Sequence, residues 1–158
     1  CPVILDADGI NCVKSRISIF KEIKAPVVLT PHPAEMARLV SKTVAEVQAD
    51  RIGVAKAFAA QNNVIVVLKG ANTVVTDGER VFVHLTGNPA MAMGGTGDML
   101  TGIIASLTAQ GVSPFEAAAA GVYIHGLCGD RAATKISMRG ITVDDMTEQL
   151  GTLMSGFE

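Results

Sequence analysis

Residues 94–98 read Gly-Gly-Thr-Gly-Asp and run straight into Met-Leu-Thr-Gly-Ile-Ile-Ala-Ser-Leu, an apolar segment with helical spacing. A glycine-dense loop feeding a helix is suited to holding an anion. The first-turn N–H groups have no acceptor within the helix, and the macrodipole adds partial positive charge. Gly94, Gly95 and Gly97, with Thr96 among them, let the backbone approach a phosphate closely. Asp98 is the odd member of the set. A carboxylate beside a phosphate pocket repels its ligand, unless its work is to take a proton from an attacking hydroxyl. The alternative is a first-turn aspartate that merely complements the dipole.

Other candidates fall at the ends of buried-strand patterns. Residues 64–68 are apolar and mostly β-branched, the strongest strand pattern in the chain, and Lys69-Gly70-Ala71-Asn72-Thr73 follows at once. That position favours a cation facing a ligand. Residues 27–30 form a second apolar run, leading into Pro31-His32-Pro33-Ala34-Glu35. The prolines fix an extended exit with Pro33 at the first helical position, which holds His32 at the sheet edge as either a ligand contact or an ordinary loop histidine. Glu35 falls in the first helical turn, where dipole compensation already explains it. The run 3–7 delivers Asp6 and Asp8 to a third strand end, where turn formation and catalysis are both open readings.

These residues need a scaffold, and the patterns supply one. Strand runs alternate with helical segments, which implies a mostly parallel sheet covered by helices on both faces, an α/β fold. Gly9-Ile10-Asn11 reads as a turn and residues 17–23 as a short helix. Thr43-Val44-Ala45-Glu46 is a capping box, opening one helix with Val47, Ile52, Val54, Ala55 and Phe58 inward. Residues 73–76 and 80–85 flank Asp77-Gly78-Glu79 as a hairpin. A helix from about Gly97 to residues 110–111 follows the glycine loop. Ser113-Pro114-Phe115-Glu116 caps a long Ala- and Gly-rich helix in which His125 reads as a packing residue. Residues 142–150 form a last amphipathic helix, with a frayed tail at 155–158.

At 158 residues the chain can bury one core, and 49% hydrophobic against 18% charged residues fits an α/β interior. A net charge of −2 without a basic run argues against a nucleic-acid partner. The apolar stretch 99–127 is interrupted by Gln110-Gly111 and Pro114, so it reads as two helices and not a membrane span. Three irregularly spaced cysteines fit reduced thiols in the cytoplasm. The opening Cys1-Pro2-Val3 starts in mid-strand, so we expect residues 1–158 to be the C-terminal portion of a single larger domain.

Taken together, LTPHPAEMARL (29–39), VVLKGANTVVTDG (66–78) and GNPAMAMGGTGDMLTGIIASL (87–107) resemble the ADP- or ATP-dependent NAD(P)H-hydrate dehydratases, a branch of the ribokinase-like superfamily. The opening VILDADGIN is similar to the same family, so the likeness spans nearly the whole chain in order. It implies a ribokinase-like fold and repair of hydrated NADH or NADPH, by phosphorylation of the ring hydroxyl and elimination of phosphate. It implies Asp98 as the base in contact with that hydroxyl, and Gly94, Gly95, Thr96 and Gly97 as the phosphoryl-binding loop. Lys69, Gly70, Ala71, Asn72 and Thr73 would border the nucleotide, His32 would touch the hydrated cofactor, and Glu35 would organise magnesium through water. It also implies ADP or ATP as co-substrate, an epimerase domain fused or in partnership, and a homo-oligomer. Ala34 departs from the glycine common there. The rival readings are a related kinase of a vitamin-precursor hydroxyl and a nucleotide-binding regulatory domain without turnover. The PHPAE and KGANT segments favour the dehydratase over the first, and Asp98 in an anion loop argues against the second.

Overall fold

The computed structural model describes residues 1–157. Five strands form one sheet in sequence order: β1 (Val3–Leu5), β2 (Val27–Leu29), β3 (Ile65–Leu68), β4 (Val74–Thr76) and β5 (Val81–Val83). The sheet is mixed. β1, β2 and β3 run parallel, as their helical crossovers require, while the hairpin adds antiparallel β3–β4 and β4–β5 pairings.

Successive strand residues face opposite layers. Val27, Leu29, Val66, Leu68 and Val74 meet α2 (Pro33–Leu39), α3 (Val44–Ala49) and α4 (Arg51–Asn62). Val28, Val67 and Val75 meet α5 (Thr96–Ala109) and α6 (Pro114–Lys135). A third cluster joins α5 and α6 to α7 (Val143–Met154), around Ile103, Cys128, Ile141 and Met146. Both faces are thus covered, the closely packed side by the buried Ala117 and Ala118 of α6.

Several local expectations change. The expected turn at residues 9–11 is helix α1 (Ala7–Val13), because Ile10 docks into the core at 1% exposure and draws its neighbours into a helical turn. The single helix expected after Thr43 is two. The backbone breaks at Asp50 (φ −142°, ψ 66°), whose carboxylate caps α4 by accepting from the Gly53 N–H at 2.9 Å. The break turns Ile52 outward, to 46% exposure, although the reading of one continuous helix placed it inside. Residues 17–21 are a 3-10 turn, Ile17–Lys21. Ser113 does cap α6, but Glu116 bonds the Ser113 hydroxyl and not its backbone N–H. The tail forms a 3-10 turn, Ser155–Phe157, and the last tail residue lies outside the described residues.

The three cysteines are free. Burial pushes the Cys128 thiol up to about 11, so it is an inert packing residue. Among the described residues no helix is long and apolar enough to cross a membrane.

Candidate active site

The C-terminal ends of β1, β2 and β3 lie side by side, and the chain leaves each with a polar residue. The Thr30 N–H donates to Leu5 O at 3.1 Å and the Lys69 N–H to Pro31 O at 2.9 Å, so the three exits are hydrogen-bonded to one another. Across them runs an ion pair: Lys69 Nζ donates to Asp6 Oδ1 at 2.6 Å. The other carboxylate oxygen, Asp6 Oδ2, accepts from Thr101 Oγ1 in α5 at 2.9 Å. Burial by itself would raise the Asp6 carboxyl, but the Lys69 hydrogen bond and charge, helped by Thr30 and the Ala7 N–H, hold it below the ordinary aspartate range. Asp6 stands at the N-cap position of α1 and makes no cap bond there. Ala7 takes a left-handed φ of 45° directly behind it. Lys69, expected to face a ligand alone, therefore has a protein partner, and Asp6 belongs to the site by a contact that sequence spacing could not supply.

α5 begins as the glycine loop suggests. Gly95 is its N-cap with φ 91°, a conformation that side chains resist. The Thr96 hydroxyl turns back to Met91 O (3.0 Å) and Met93 O (2.9 Å), so it does not cap the helix. The first bond along the helix is from the Met99 N–H to Gly95 O at 3.0 Å. The N–H groups of Gly94, Gly95, Thr96, Gly97 and Asp98 have no acceptor among the described residues. Gly97 packs over the ion pair, with room for a Cβ 3.4 Å from Lys69 Nζ.

A cavity of about 470 Å3 joins these two features. Lys69, Gly70, Ala71, Asn72 and Thr73 form one wall, and Thr96 and Gly97 also line the cavity. Leu85, Pro89, Met91, Leu100 and Val122 make the rest largely apolar. Asn72 takes a left-handed φ of 57° at the loop's tip, and Thr73 Oγ1 closes the loop onto Gly70 O at 3.0 Å. Arg51 braces it from behind, donating to Leu68 O at 2.9 Å and Lys69 O at 3.3 Å.

His125 also lines this cavity, although its place inside α6 suggested packing. Burial pushes its imidazole down to about 4, and the Lys69 charge pushes the same way, against a contact with the Thr96 backbone. Its Nε2 is buried without a hydrogen-bond partner among the described residues.

The remaining candidates lie elsewhere on the edge. Asp98 is exposed, directly after the wall residue Gly97, and it makes no side-chain hydrogen bond or ion pair among the described residues. Gly94 and Gly95 are exposed and outside the cavity wall. His32 caps α2: its Nδ1 accepts from the Ala34 N–H (3.1 Å) and the Glu35 N–H (3.3 Å). Glu35 completes the box, with Oε2 accepting from the His32 N–H at 2.7 Å and Oε1 lying 3.4 Å from His32 Nε2. At 4% exposure Glu35 is buried among these contacts. Among the described residues there is no group of three metal-ligating side chains.

Comparison with known structures places the fold first. A ribokinase-like superfamily protein of Enterococcus faecalis V583 superposes with a TM-score of 0.81 at 31% identity, over 98% of this chain and 52% of that one. An α/β domain of the ribokinase-like class, with an acceptor-free helix start beside a lysine loop, is what the fold and cavity define. A family model described as NAD(P)H-hydrate dehydratase matches residues 1–151, and the chain belongs to that family. It is 42% identical to the bifunctional NAD(P)H-hydrate repair enzyme Nnr of Moorella thermoacetica, over 99% of this chain and 30% of that protein. An ADP/ATP-dependent NAD(P)H-hydrate dehydratase from Bacillus subtilis, co-crystallised with ATP/Mg2+, superposes with a TM-score of 0.86 at 34% identity. That match covers 100% of this chain and 56% of the Bacillus chain, so the chain spans about half or less of these relatives' lengths.

Proposed function

We propose that residues 1–158 are the nucleotide-handling, C-terminal portion of a single ribokinase-like domain that dehydrates hydrated NADH or NADPH at the expense of ADP or ATP. The observation that carries this is the cavity uniting the Lys69 loop with Thr96 and Gly97, two of the residues with acceptor-free N–H groups at the start of α5. Its apolar lining suits a nucleotide base and its lysine and open amides suit a chain of phosphates, and its size is that of a small-ligand pocket.

In this reading Lys69, Gly70, Ala71, Asn72 and Thr73 border the nucleotide. The amides of Gly94, Gly95, Thr96 and Gly97 hold the phosphoryl group in flight, where fixed donors stabilise developing charge without reorganising. Asp98, just outside the cavity, meets the second substrate there. Its carboxylate takes the proton of the ring hydroxyl as that oxygen bonds to the terminal phosphorus, and the bond from phosphorus to the nucleotide's bridging oxygen breaks. Phosphate then departs with the ring C–O electrons, the neighbouring carbon loses a proton, and the double bond reforms. His32 contacts the hydrated cofactor through the exposed side of its ring. Magnesium enters as a companion of the nucleotide phosphates, and Glu35 reaches it through water alone, since both its oxygens face His32. We extend the reading to an epimerase in the same chain or in partnership, a homo-oligomer and a cytoplasmic location.

The test supplies hydrated NADH or NADPH, magnesium and either ADP or ATP to the protein carrying these residues. Recovery of reduced-nicotinamide absorbance, matched by released phosphate, is expected. A stable phosphorylated product without that recovery would move the assignment to a small-molecule kinase.

A further inference from the structure

One wall of the cavity is an irregular strap, residues 85–93, outside the sheet and broken only by the 3-10 turn Pro89–Met91. It leads directly into the glycine loop. Two residues hold it to α6: the Thr86 hydroxyl donates to Tyr123 O at 3.4 Å, and Asp130, which does not line the cavity, takes two shorter bonds. Asp130 Oδ2 accepts from the Gly87 N–H at 2.9 Å, and Oδ1 accepts from Asn88 Nδ2 at 2.9 Å. Asn88 Oδ1 in turn accepts from the Ala90 N–H at 3.1 Å. Aspartate is a poor choice for a helix interior, and Asp130 makes no ion pair among the described residues. Both its oxygens are committed to the strap.

The surface beneath is shaped for the same contact. A Cβ at Gly126 would overlap the Thr86 hydroxyl, and one at Gly129 would overlap the Met91 sulfur. At its far end the strap is tied to the start of α5 by the Thr96 hydroxyl on Met91 O and Met93 O. The strap is thus fixed between α6 and α5, with Asp130 and the longer Thr86–Tyr123 bond at one anchor and Thr96 at the other.

We infer that Asp130 is a positioning residue for the nucleotide: acting through Gly87 and Asn88, it holds the strap as a cavity wall and sets where the glycine loop begins. This rests on the nucleotide reading above. Replacing the carboxylate by an amide tests it, because an amide can accept from Gly87 or from Asn88 but presents an NH2 to the other. One hydrogen bond of the linked set Gly87, Asp130, Asn88 and Ala90 is lost whichever way the two amides turn.

The experiment measures KM for ADP and ATP, kcat at saturation and melting temperature for Asp130→Asn, Asn88→Ala and the double variant. Asp130→Asn should raise the nucleotide KM about tenfold, the loss of a charge-assisted bond felt at one remove, with kcat within about threefold. Asn88→Ala should act in the same direction, and the double variant should be no worse than the stronger single one, since both cut one link. An unchanged KM in Asp130→Asn would overturn the clamp while leaving the nucleotide reading intact. So would effects that multiply, or a lowered melting temperature and kcat at constant KM. A wild-type protein that binds neither ADP nor ATP would overturn both.

Discussion

Helices α2 and α5 begin at the same sheet edge and finish their first turns in opposite ways. At α2 every donor is used locally. Pro33 has no N–H, the Ala34 and Glu35 N–H groups go to His32 Nδ1, and the His32 N–H goes to Glu35 Oε2. At α5 the side chains that could cap are directed elsewhere. The cap position is Gly95, which has no side chain, and the adjacent Thr96 hydroxyl holds the strap, which leaves five consecutive amides, residues 94–98, open. A helix start ordinarily recruits its own cap, worth about 1 kcal/mol. Where the cap position is a glycine and the adjacent hydroxyl is used elsewhere, the donors remain available to a ligand. On this comparison α5 leaves its first-turn donors open to a ligand, while α2 uses all of its own.

The sharpest way to break the comparison is at Asp98. Asp98→Asn should lower turnover by about 10²–10⁴-fold, the range for a positioned base. Nucleotide affinity should be kept or improved, because a charge near the phosphates is removed. Near-normal turnover would reduce Asp98 to a dipole-complementing residue.

Lys69→Ala probes the open end from beneath. It should weaken ADP and ATP binding about 10–100-fold and, unlike the change of a purely ligand-facing lysine, cost roughly 2–4 kcal/mol of stability by leaving the Asp6 carboxylate buried without its partner. Calorimetry and denaturant titration separate the two effects. A loss of stability with normal nucleotide affinity would make Lys69 part of the scaffold alone.

His125 gives a pH signature of the cavity wall. Its folded value of about 4 lies below the ordinary 6.5, so the folded chain resists a proton that the unfolded chain accepts. The resulting stability is fully present above about pH 6.5 and is lost as pH falls through about 4, amounting to ~3 kcal/mol at most. His125→Asn should flatten that part of the curve relative to wild type, with unfolding free energy followed from pH 7 to 4.

The smallest effect sharpens the other side. His32→Ala should cost ~1 kcal/mol through the lost cap, and His32→Asn should restore it, since asparagine caps well. If the ring also touches the hydrated cofactor, both variants should share a raised substrate KM. Equal KM values in His32→Asn and wild type would make His32 a cap and nothing more.

Much of the fold could be read along the chain because its determinants are local. The apolar run before Lys69, the hairpin around Asp77 and Gly78, the Thr43 capping box and Pro33 at the first turn of α2 each depend on a few neighbouring residues. The glycine loop leading into α5 was legible for the same reason, and so was the family, carried by motifs in order. Local spacing misled where one contact, in the core or at a helix cap, overrode it. Ile10 entering the core made a helix of an expected turn, and the Asp50 cap split one helix and turned Ile52 outward.

The partners of the site were decided by tertiary structure. Lys69 lies 63 residues from Asp6, Thr101 lies 95 from it, and Asp130 lies 43 from Gly87. No periodicity links such positions. They meet because parallel strands bring all their C-terminal ends to one edge, and because α5 and α6 pack across the same face of the sheet. By itself the sequence determined which residue types could bind phosphate and take a proton. The packing of strands and helices decided which of them share a cavity, which face each other as ions, and which are held in place as caps.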